Sequence, residues 1–428
     1  MMQKTIQVDE KVPLLQGIPL SFQHLFAMFG ASVLVPTLFK IDPSVVLLMN
    51  GIGTLIYLVL CQGKAPAFLG SSFAFLSPVF VVLGANQDLW AGNYSYALGG
   101  FIASGCIFIT VALIIWKFGS TWIGFVLPPA TMGPIVMLIG LELAGVATGM
   151  AGIMPDAKGA YNVDAIIVSV VTLLTVAFGS LLFRGFMAVI PVLIGIAVGY
   201  AVAVSMRMVS FDGVTAAAVL AMPTFHTPRF DINMILIIIP ASLVVISEHI
   251  GHLVVTGNIV GRDLTRDPGL HRSLMGDGVS TVLSGLFGSV PTTTYGENIG
   301  VMAITRVYSV WVIGGAAVIS IVLAFIGKLS AVIQSIPTPV MGGISILLFG
   351  VIAASGIRML VEAKVDYSRP INLILTAIVL IVGISGAAVK IGNVQLKGMA
   401  LATVVGMALS LLFHLLERLG LVNVQTDV

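Results

Sequence analysis

Leu127-Pro128-Pro129-Ala130-Thr131-Met132-Gly133 is echoed 209 residues later by Ile336-Pro337-Thr338-Pro339-Val340-Met341-Gly342. A weaker echo pairs Gly51-Ile52-Gly53 with Gly276-Asp277-Gly278. Two short apolar segments, 65–84 and 291–305, fall at matching places in the two halves. The first is broken by Pro66, Gly70, Ser71, Ser72 and Pro78, the second by Pro291, Gly296 and Gly300. Together with the uninterrupted apolar runs they predict seven crossings per half. An odd number per half sends the second half into the membrane from the opposite side. That is an inverted repeat, an architecture found in many secondary transporters. For the motif alone, chance similarity among Gly- and Pro-rich apolar sequences is the competing reading.

Composition sets the solvent. Of 428 residues, 58% are hydrophobic and 9% charged, where a soluble domain carries about 25% charge. A water-soluble exterior cannot be assembled from so few polar side chains, so the chain is read as a membrane protein. A helix needs about 20 mostly apolar residues to cross the hydrocarbon. Uninterrupted runs of that kind lie near 19–39, 44–61, 95–116, 131–150, 165–183, 186–206, 232–256, 274–290, 308–327, 340–357, 371–389 and 397–416. The two broken segments bring the expected total to about fourteen. The polar stretch Met1–Lys11 has no signal-peptide pattern, so the first span is expected to act as an uncleaved insertion signal. The net charge is +2 and no basic tract exists, which excludes nucleic acid as a partner. Cys61 and Cys106 lie in apolar runs and read as buried thiols rather than a disulfide or metal site.

With the N-terminus inside, Lys4, Lys64, Lys117, Arg184, Arg262, Arg266, Arg272, Arg306, Arg358, Arg369 and Arg418 are among 13 basic residues on the inner side. Lys40, Lys158, Arg207, Arg229, Lys328, Lys390 and Lys397 make 7 on the outer side. The excess obeys the positive-inside rule with both termini cytoplasmic.

An interrupted helix in lipid frees backbone N–H and C=O groups that are costly unless protein or ligand satisfies them. The first break reads Gly70-Ser71-Ser72-Phe73-Ala74-Phe75 and the second Thr292-Thr293-Thr294-Tyr295-Gly296-Glu297-Asn298. Extended backbone there can present N–H groups to a ligand, and half-helix N-termini add a positive dipole. Phe73 and Tyr295 offer faces to a flat ring. An ordinary kinked helix is the plainer alternative. Glu297, inside the second break, favours function.

An ionisable side chain at mid-membrane costs at least about 2.5 kcal/mol and is a functional candidate by default. Glu248 and His252 are four residues apart and share one helix face. A carboxylate beside an imidazole can exchange a proton near neutral pH. His249 points elsewhere and reads as structural. Glu297, and His24 beside Gln23 in the first span, complete the inner set. Glu142, near the outer end of its span, admits a structural role as readily as a functional one. His249 and His252 lack the HExxH order and a Cys ligand, so no metal site is expected.

The run Glu297-Asn298-Ile299-Gly300-Val301-Met302-Ala303-Ile304-Thr305-Arg306 resembles the signature of the nucleobase–ascorbate transporter family, also called nucleobase:cation symporter-2. That signature is Gln, Glu or Pro, then Asn, any residue, Gly, four of any kind, Thr, and Arg, Lys or Gly. Gln23-His24 resembles the family's Gln-His motif. Leu25-Phe26-Ala27-Met28-Phe29-Gly30-Ala31 and Thr294-Tyr295-Gly296-Glu297-Asn298 are similar to its uracil-carrying bacterial members.

The resemblance implies an all-α polytopic fold of fourteen segments in two inverted repeats of seven, with short strands in segments 3 and 10. It implies a core domain (residues 1–118 and 229–329) and a gate domain (119–228 and 330–428, with the C-terminal tail). It further implies uracil as substrate, a coupled proton, a homodimer in the bacterial inner membrane, and no cofactor. Carried over, Phe73 and Gly296 become backbone N–H donors, and Glu248 and Glu297 base-binding carboxylates. His252 becomes the proton-linked partner of Glu248, with Ser72 and Tyr295 lining the site. Gln23, His24, Asn298, Thr305 and Arg306 become structural or gating candidates. Phe349 stands where uracil-carrying members often have Tyr, so a hydroxyl at the gate is expected to be missing.

Uracil fits such a set: two carboxylates accept from its N–H groups and two amides donate to its carbonyls. Members that handle xanthine or urate usually begin the signature with Gln, so Glu297 favours uracil. A purine permease of the same family is the nearest alternative. An anion transporter of the same architecture is disfavoured by two buried acids, and a channel or a metalloenzyme stands further off.

Overall fold

The computed structural model describes residues 5–155, 159–391 and 394–422. Lys4 and Lys158, counted in the orientation argument, lie outside the described residues. The first half runs α1 (Leu14–Phe39), α2 (Pro43–Leu60), β1 (Leu69–Ser71), α3 (Leu76–Leu83), α4 (Trp90–Phe118), α5 (Ile123–Val126), α6 (Pro129–Glu142), α7 (Ala144–Met150), α8 (Val163–Leu182), α9 (Pro191–Ser205) and α10 (Asp212–Ala216). The second runs α11 (Ile232–Val260), α12 (Leu270–Phe287), β2 (Thr292–Thr294), α13 (Gly296–Thr305), α14 (Val310–Ala324), α15 (Gly327–Gln334), α16 (Thr338–Glu362), α17 (Pro370–Ile384), β3 (Ala388–Ile391), β4 (Val394–Lys397) and α18 (Gly398–Arg418). Among the described residues, eight helices are long and apolar enough to span a membrane, and four shorter ones are apolar. α12 is more polar, with His271, Arg272 and Asp277 in its sequence.

The repeated motif does the same local work twice. Pro128 caps α6 at φ −65°, ψ 157°, and Pro337 caps α16 at φ −64°, ψ 146°. Proline's fixed φ and missing N–H suit a helix start, where that donor would be unpaired anyway. The two helices pack antiparallel: a Cβ on Gly133 would strike Leu360, and one on Gly140 would strike the Phe349 carbonyl. The helices that carry the Gly51–Gly53 and Gly276–Gly278 echo also meet. A Cβ on Gly53 would overlap Ser280, and one on Gly276 would meet Tyr57, so α2 and α12 approach closely and antiparallel.

Two helix groups result. α1, α2 and α4 pack against α11, α12 and α14; α6, α8 and α9 pack against α16, α17 and α18. α3 joins the first group through α4 and α11. β1 and β2 pair antiparallel between the halves, with Leu69 opposite Thr294, Gly70 opposite Thr293 and Ser71 opposite Thr292. Ser72 N donates to Pro291 O (2.9 Å) and Tyr295 N to Phe68 O (3.0 Å), extending the ladder. Side chains from the neighbouring helices satisfy the ribbon's outer backbone groups. Leu69 N donates to Thr54 Oγ1 (2.9 Å), and Thr281 Oγ1 donates to Thr292 O (3.1 Å) while accepting from Thr292 N (3.3 Å). Helix-borne hydroxyls thus let an open ribbon exist at membrane depth.

Two expectations are corrected. The sequence places a span at 371–389 and another at 397–416; instead α17 ends at Ile384 and the β3–β4 hairpin intervenes. Gly386, at φ 72°, lies beyond the end of α17, a conformation that breaks the helical path. Cys106 is exposed on α4, whereas Cys61 is buried as expected. An apolar run does not distinguish a lipid-facing position from a packed one.

Asp42 ties the connection between α1 and α2 to two distant parts of the chain. Its carboxylate accepts from Ser44 N (2.9 Å), Thr224 N (2.9 Å) and Ser330 Oγ (2.7 Å). Partial burial pushes its pKa up, but the hydrogen bonds from Thr224 and Ser44 outweigh that and hold it below the usual carboxylate value. A depressed folded value means that the stabilisation is complete above the unfolded pKa and is lost as pH falls through the folded one. Asp42→Asn is expected to cost about 1 kcal/mol, read as a lower midpoint of thermal unfolding in detergent at pH 7. The difference from the parent should shrink on acidification below the ordinary carboxylate range.

Candidate substrate site

The site is assembled where β1 and β2 end and their helices begin. Phe73 follows Ser72 as the first residue of a short helical turn leading into α3, and Gly296 is the first residue of α13. First-turn N–H groups have no intrahelical acceptor and are free to meet a ligand. A Cβ on Gly70 would overlap the Tyr295 ring, so glycine there lets that ring lie across β1. Phe73 stands between Tyr295 (ring centroids 6.5 Å apart) and Phe349 (5.8 Å, edge to face). Phe349 on α16 is buried and presents an apolar ring edge to Phe73.

Glu297 is the second residue of α13, where the helix N-terminus favours negative charge. Glu248 lies on α11, close enough to interact electrostatically with Glu297. Both are partly buried, and Glu248 Oε2 has no hydrogen-bond partner. Two carboxylates at close range repel, and a proton or a pair of ligand N–H donors relieves the repulsion. Ser72 Oγ and Tyr295 OH are also buried and unpartnered. Unsatisfied buried polar atoms gathered in one place are candidates for contact with a polar ligand.

His252 departs from the expected arrangement. Its Nδ1 bonds the Thr294 carbonyl (2.9 Å) and lies 3.2 Å from Thr294 Oγ1. A carbonyl only accepts, so Nδ1 carries the proton and Nε2, on the side of Gly296, is the ring's accepting atom. Among the described residues no hydrogen bond joins Glu248 to His252; strand β2 holds the imidazole instead. His249 turns away from the site, as its helical position predicts, and forms a fully buried pair with Asp277 at 2.7 Å. Its Nε2 bonds Ser273 Oγ (2.8 Å), which bonds Tyr57 OH (2.8 Å). Thr293 Oγ1 donates to Asp277 Oδ2 at 3.4 Å, so this network braces β2 from behind.

Asp277 is missing from the candidates drawn from sequence. An acid inside an apolar run is the available signal, masked by the glycines on either side of it in Gly276-Asp277-Gly278. The family motifs of the first span and the signature do meet. Asn298 Nδ2 donates to His24 O (3.2 Å) and lies 3.3 Å from His24 Nδ1. Thr305 Oγ1 donates to Val301 O and accepts from Val307 N, and Arg306 closes α13 at φ 56°. Those two residues end the helix. Gln23 is partly buried at the start of the same contact region. Glu142 accepts from Ser77 Oγ and from Met399 N, away from the carboxylate pair.

A family model described as Permease family (Xan_ur_permease) matches residues 15–392. The uracil permease of Escherichia coli K12 is 59% identical over 419 residues, covering 98% of this chain and 96% of that one. The uracil permease of Paenibacillus larvae is 59% identical over 422 residues, covering 98% and 99%. That of Bacillus caldolyticus is 47% identical over 414 residues, covering 95% and 94%. Among solved structures, murine Solute Carrier 26 family member A9, an anion transporter in an inward-facing state, superposes with a TM-score of 0.70. It is 12% identical, covering 96% of this chain and 69% of that one. The transmembrane domain of the cyanobacterial bicarbonate transporter BicA gives a TM-score of 0.59 at 13% identity, covering 96% and 99%. At these identities the two structures show the shared transporter fold alone.

Proposed function

The chain belongs to this permease family, and from that premise we propose that it imports uracil together with a proton by alternating access. The observation that carries the reading is the acid pair Glu248 on α11 and Glu297 on α13, with α11 packed against the helix starts at Phe73 and Gly296. The relatives named uracil permeases, at 59% identity over 98% of the chain, support the choice of substrate.

Uracil is neutral and planar, with two N–H donors and two carbonyl acceptors. Glu297 and Glu248 accept from the ring N–H groups, while the Phe73 and Gly296 N–H groups donate to the carbonyls. Tyr295 and Phe73 pack on the ring, and Ser72 lines its edge. A base lacking one of these groups strands a desolvated partner, which is how such a site discriminates. Glu248 takes the coupled proton, with His252 Nε2 as the neighbouring acceptor. Neutralising that charge lets the core (residues 1–118 and 229–329) move against the gate (119–228 and 330–428). The chain has fourteen crossings, both termini in the cytoplasm, and works as a homodimer in the bacterial inner membrane.

The test is uptake of labelled uracil into proteoliposomes under an imposed pH gradient. Accumulation above equilibrium, abolished by a protonophore and competed by uracil far better than by xanthine, is expected. Equal competition by xanthine, or accumulation indifferent to the protonophore, overturns the substrate or the coupling respectively.

A further inference from the structure

We propose that Glu142 is a positioning residue of the transport cycle, a latch that holds the helix leading away from Phe73 against the second helix group; this rests on the alternating-access reading above. Glu142 is the last residue of α6. Its Oε1 accepts from Ser77 Oγ at 2.7 Å, and its Oε2 accepts from Met399 N, in the first turn of α18, at 3.2 Å. One carboxylate therefore joins α3 to both α6 and α18. Gly398 adopts φ 56°, and a Cβ there would overlap the Glu142 carboxyl group, so the chain at the start of α18 is shaped around this side chain.

The bond's place in the fold gives it a role beyond local stability. Among hydrogen bonds between described residues, Ser77–Glu142 is the one that joins a helix of the first group (α1–α4, α11–α14) to a helix of the second (α6–α9, α16–α18). Two other contacts across that boundary are apolar: Gly30 of α1 faces Val192 of α9, and Gly251 of α11 faces Met359 of α16. Apolar surfaces slide with little change in energy, whereas a hydrogen bond to a carboxylate is either made or broken. Beside it lies a narrow, partly open crevice with about 20 Å³ of internal space, lined among others by Ser77, Glu142, Ala241, Met399 and Ala400. That is room for about a single water, so with the bond made this part of the boundary is narrow.

The latch is also wired to the site. Phe73 and Ser77 are four residues apart in one continuous helical segment, Phe73–Leu83, and share a face. A displacement of Phe73 when uracil arrives or leaves moves Ser77 relative to Glu142. The positive-inside orientation puts Glu142 in the outer half of the membrane, so the latch closes the outer route.

The test uses full-length protein with Cys61→Ala and Cys106→Ser, carrying Ala400→Cys as a reporter in the wall of the narrow crevice. A membrane-impermeant maleimide is applied to each face of the vesicles in turn. Adding Ser77→Ala is expected to raise labelling from the outer face about tenfold, since a charge-assisted hydrogen bond is lost. Ser77→Thr, which keeps the hydroxyl, is expected to return the rate to within about twofold, with uracil Kd unchanged by either substitution within about twofold. Equal labelling of the Ser, Thr and Ala forms overturns the latch. So does a rise from both faces accompanied by lost uracil binding, which marks local unfolding around α3. Failure of the underlying reading looks different: the Ser77 form then labels at one rate with and without uracil.

Discussion

Glu297→Ala is expected to abolish measurable uracil binding, weakening Kd by about 100-fold or more. The estimate follows from losing a hydrogen bond to a charged acceptor, about 1.5–3 kcal/mol, and leaving a ring N–H of the ligand unpartnered on burial. Glu297 lies in the first turn of α13, whose N-terminus already favours an anion. Its removal costs that helix only about 0.3–1 kcal/mol, so folding should survive. Glu297→Gln keeps one accepting oxygen and loses the charge, and is expected to fall between the parent and the alanine form. Calorimetric titration of purified protein with uracil, with thermal unfolding as the folding control, checks the series. Binding of the alanine form within about threefold of the parent, well under one hydrogen bond's worth, would remove Glu297 from the site.

Glu248→Gln should separate binding from coupling. The amide has nearly the same shape and keeps one acceptor, but it cannot take up a proton near neutral pH. Gradient-driven accumulation of uracil is expected to fall at least about tenfold, while exchange of labelled for unlabelled uracil across the same vesicles stays within about fivefold. The parent Glu248 has a buried Oε2 without a partner, so no structural hydrogen bond is broken at that atom. Full accumulation by the glutamine form, or equal loss of accumulation and exchange, contradicts the assignment of the proton to this residue.

The two predictions divide labour between acids that look alike in the sequence. Glu297 was legible as a candidate ligand residue because it opens a signature and sits in a broken span. Glu248 was legible as an expensive charge with an imidazole one turn away. Their real environments differ in ways that spacing does not encode. His252 is four residues from Glu248, yet its Nδ1 is spent on the Thr294 carbonyl, 42 residues along the chain. His249 pairs with Asp277, buried on α12 between two glycines of the repeat.

The pair of breaks shows the same division. Gly, Pro and Ser in short apolar segments sufficed to place interruptions near 70 and 295, because those residues weaken a helix wherever it lies. That each interruption holds a short strand followed from family resemblance; that β1 and β2 pair with each other came only from the fold. The hydroxyls of Thr54 and Thr281 make the pairing tolerable in lipid, and they come from α2 and α12. Similarly, Glu142 was an ambiguous acid near a helix end. Ser77 lies 65 residues before it and Met399 lies 257 after it.

What the sequence determined by itself was the solvent, the approximate spans, the internal repeat and the two central acids. These rest on local properties: apolar length, turn-forming residues and the cost of charge in hydrocarbon, each readable from a short window. What only the tertiary structure decided was which polar atoms meet: His252 with Thr294, His249 with Asp277, His24 with Asn298, and Ser77 with Glu142. A hydrogen bond needs two groups within about 3 Å and correctly aimed. In a fold whose halves interlock antiparallel, that alignment is set by helix packing between distant parts of the chain. The repeat motif at Pro128 and Pro337 spans both levels: its prolines announce two helix starts, and the small residues after them allow the close packing that puts Phe349 against Phe73.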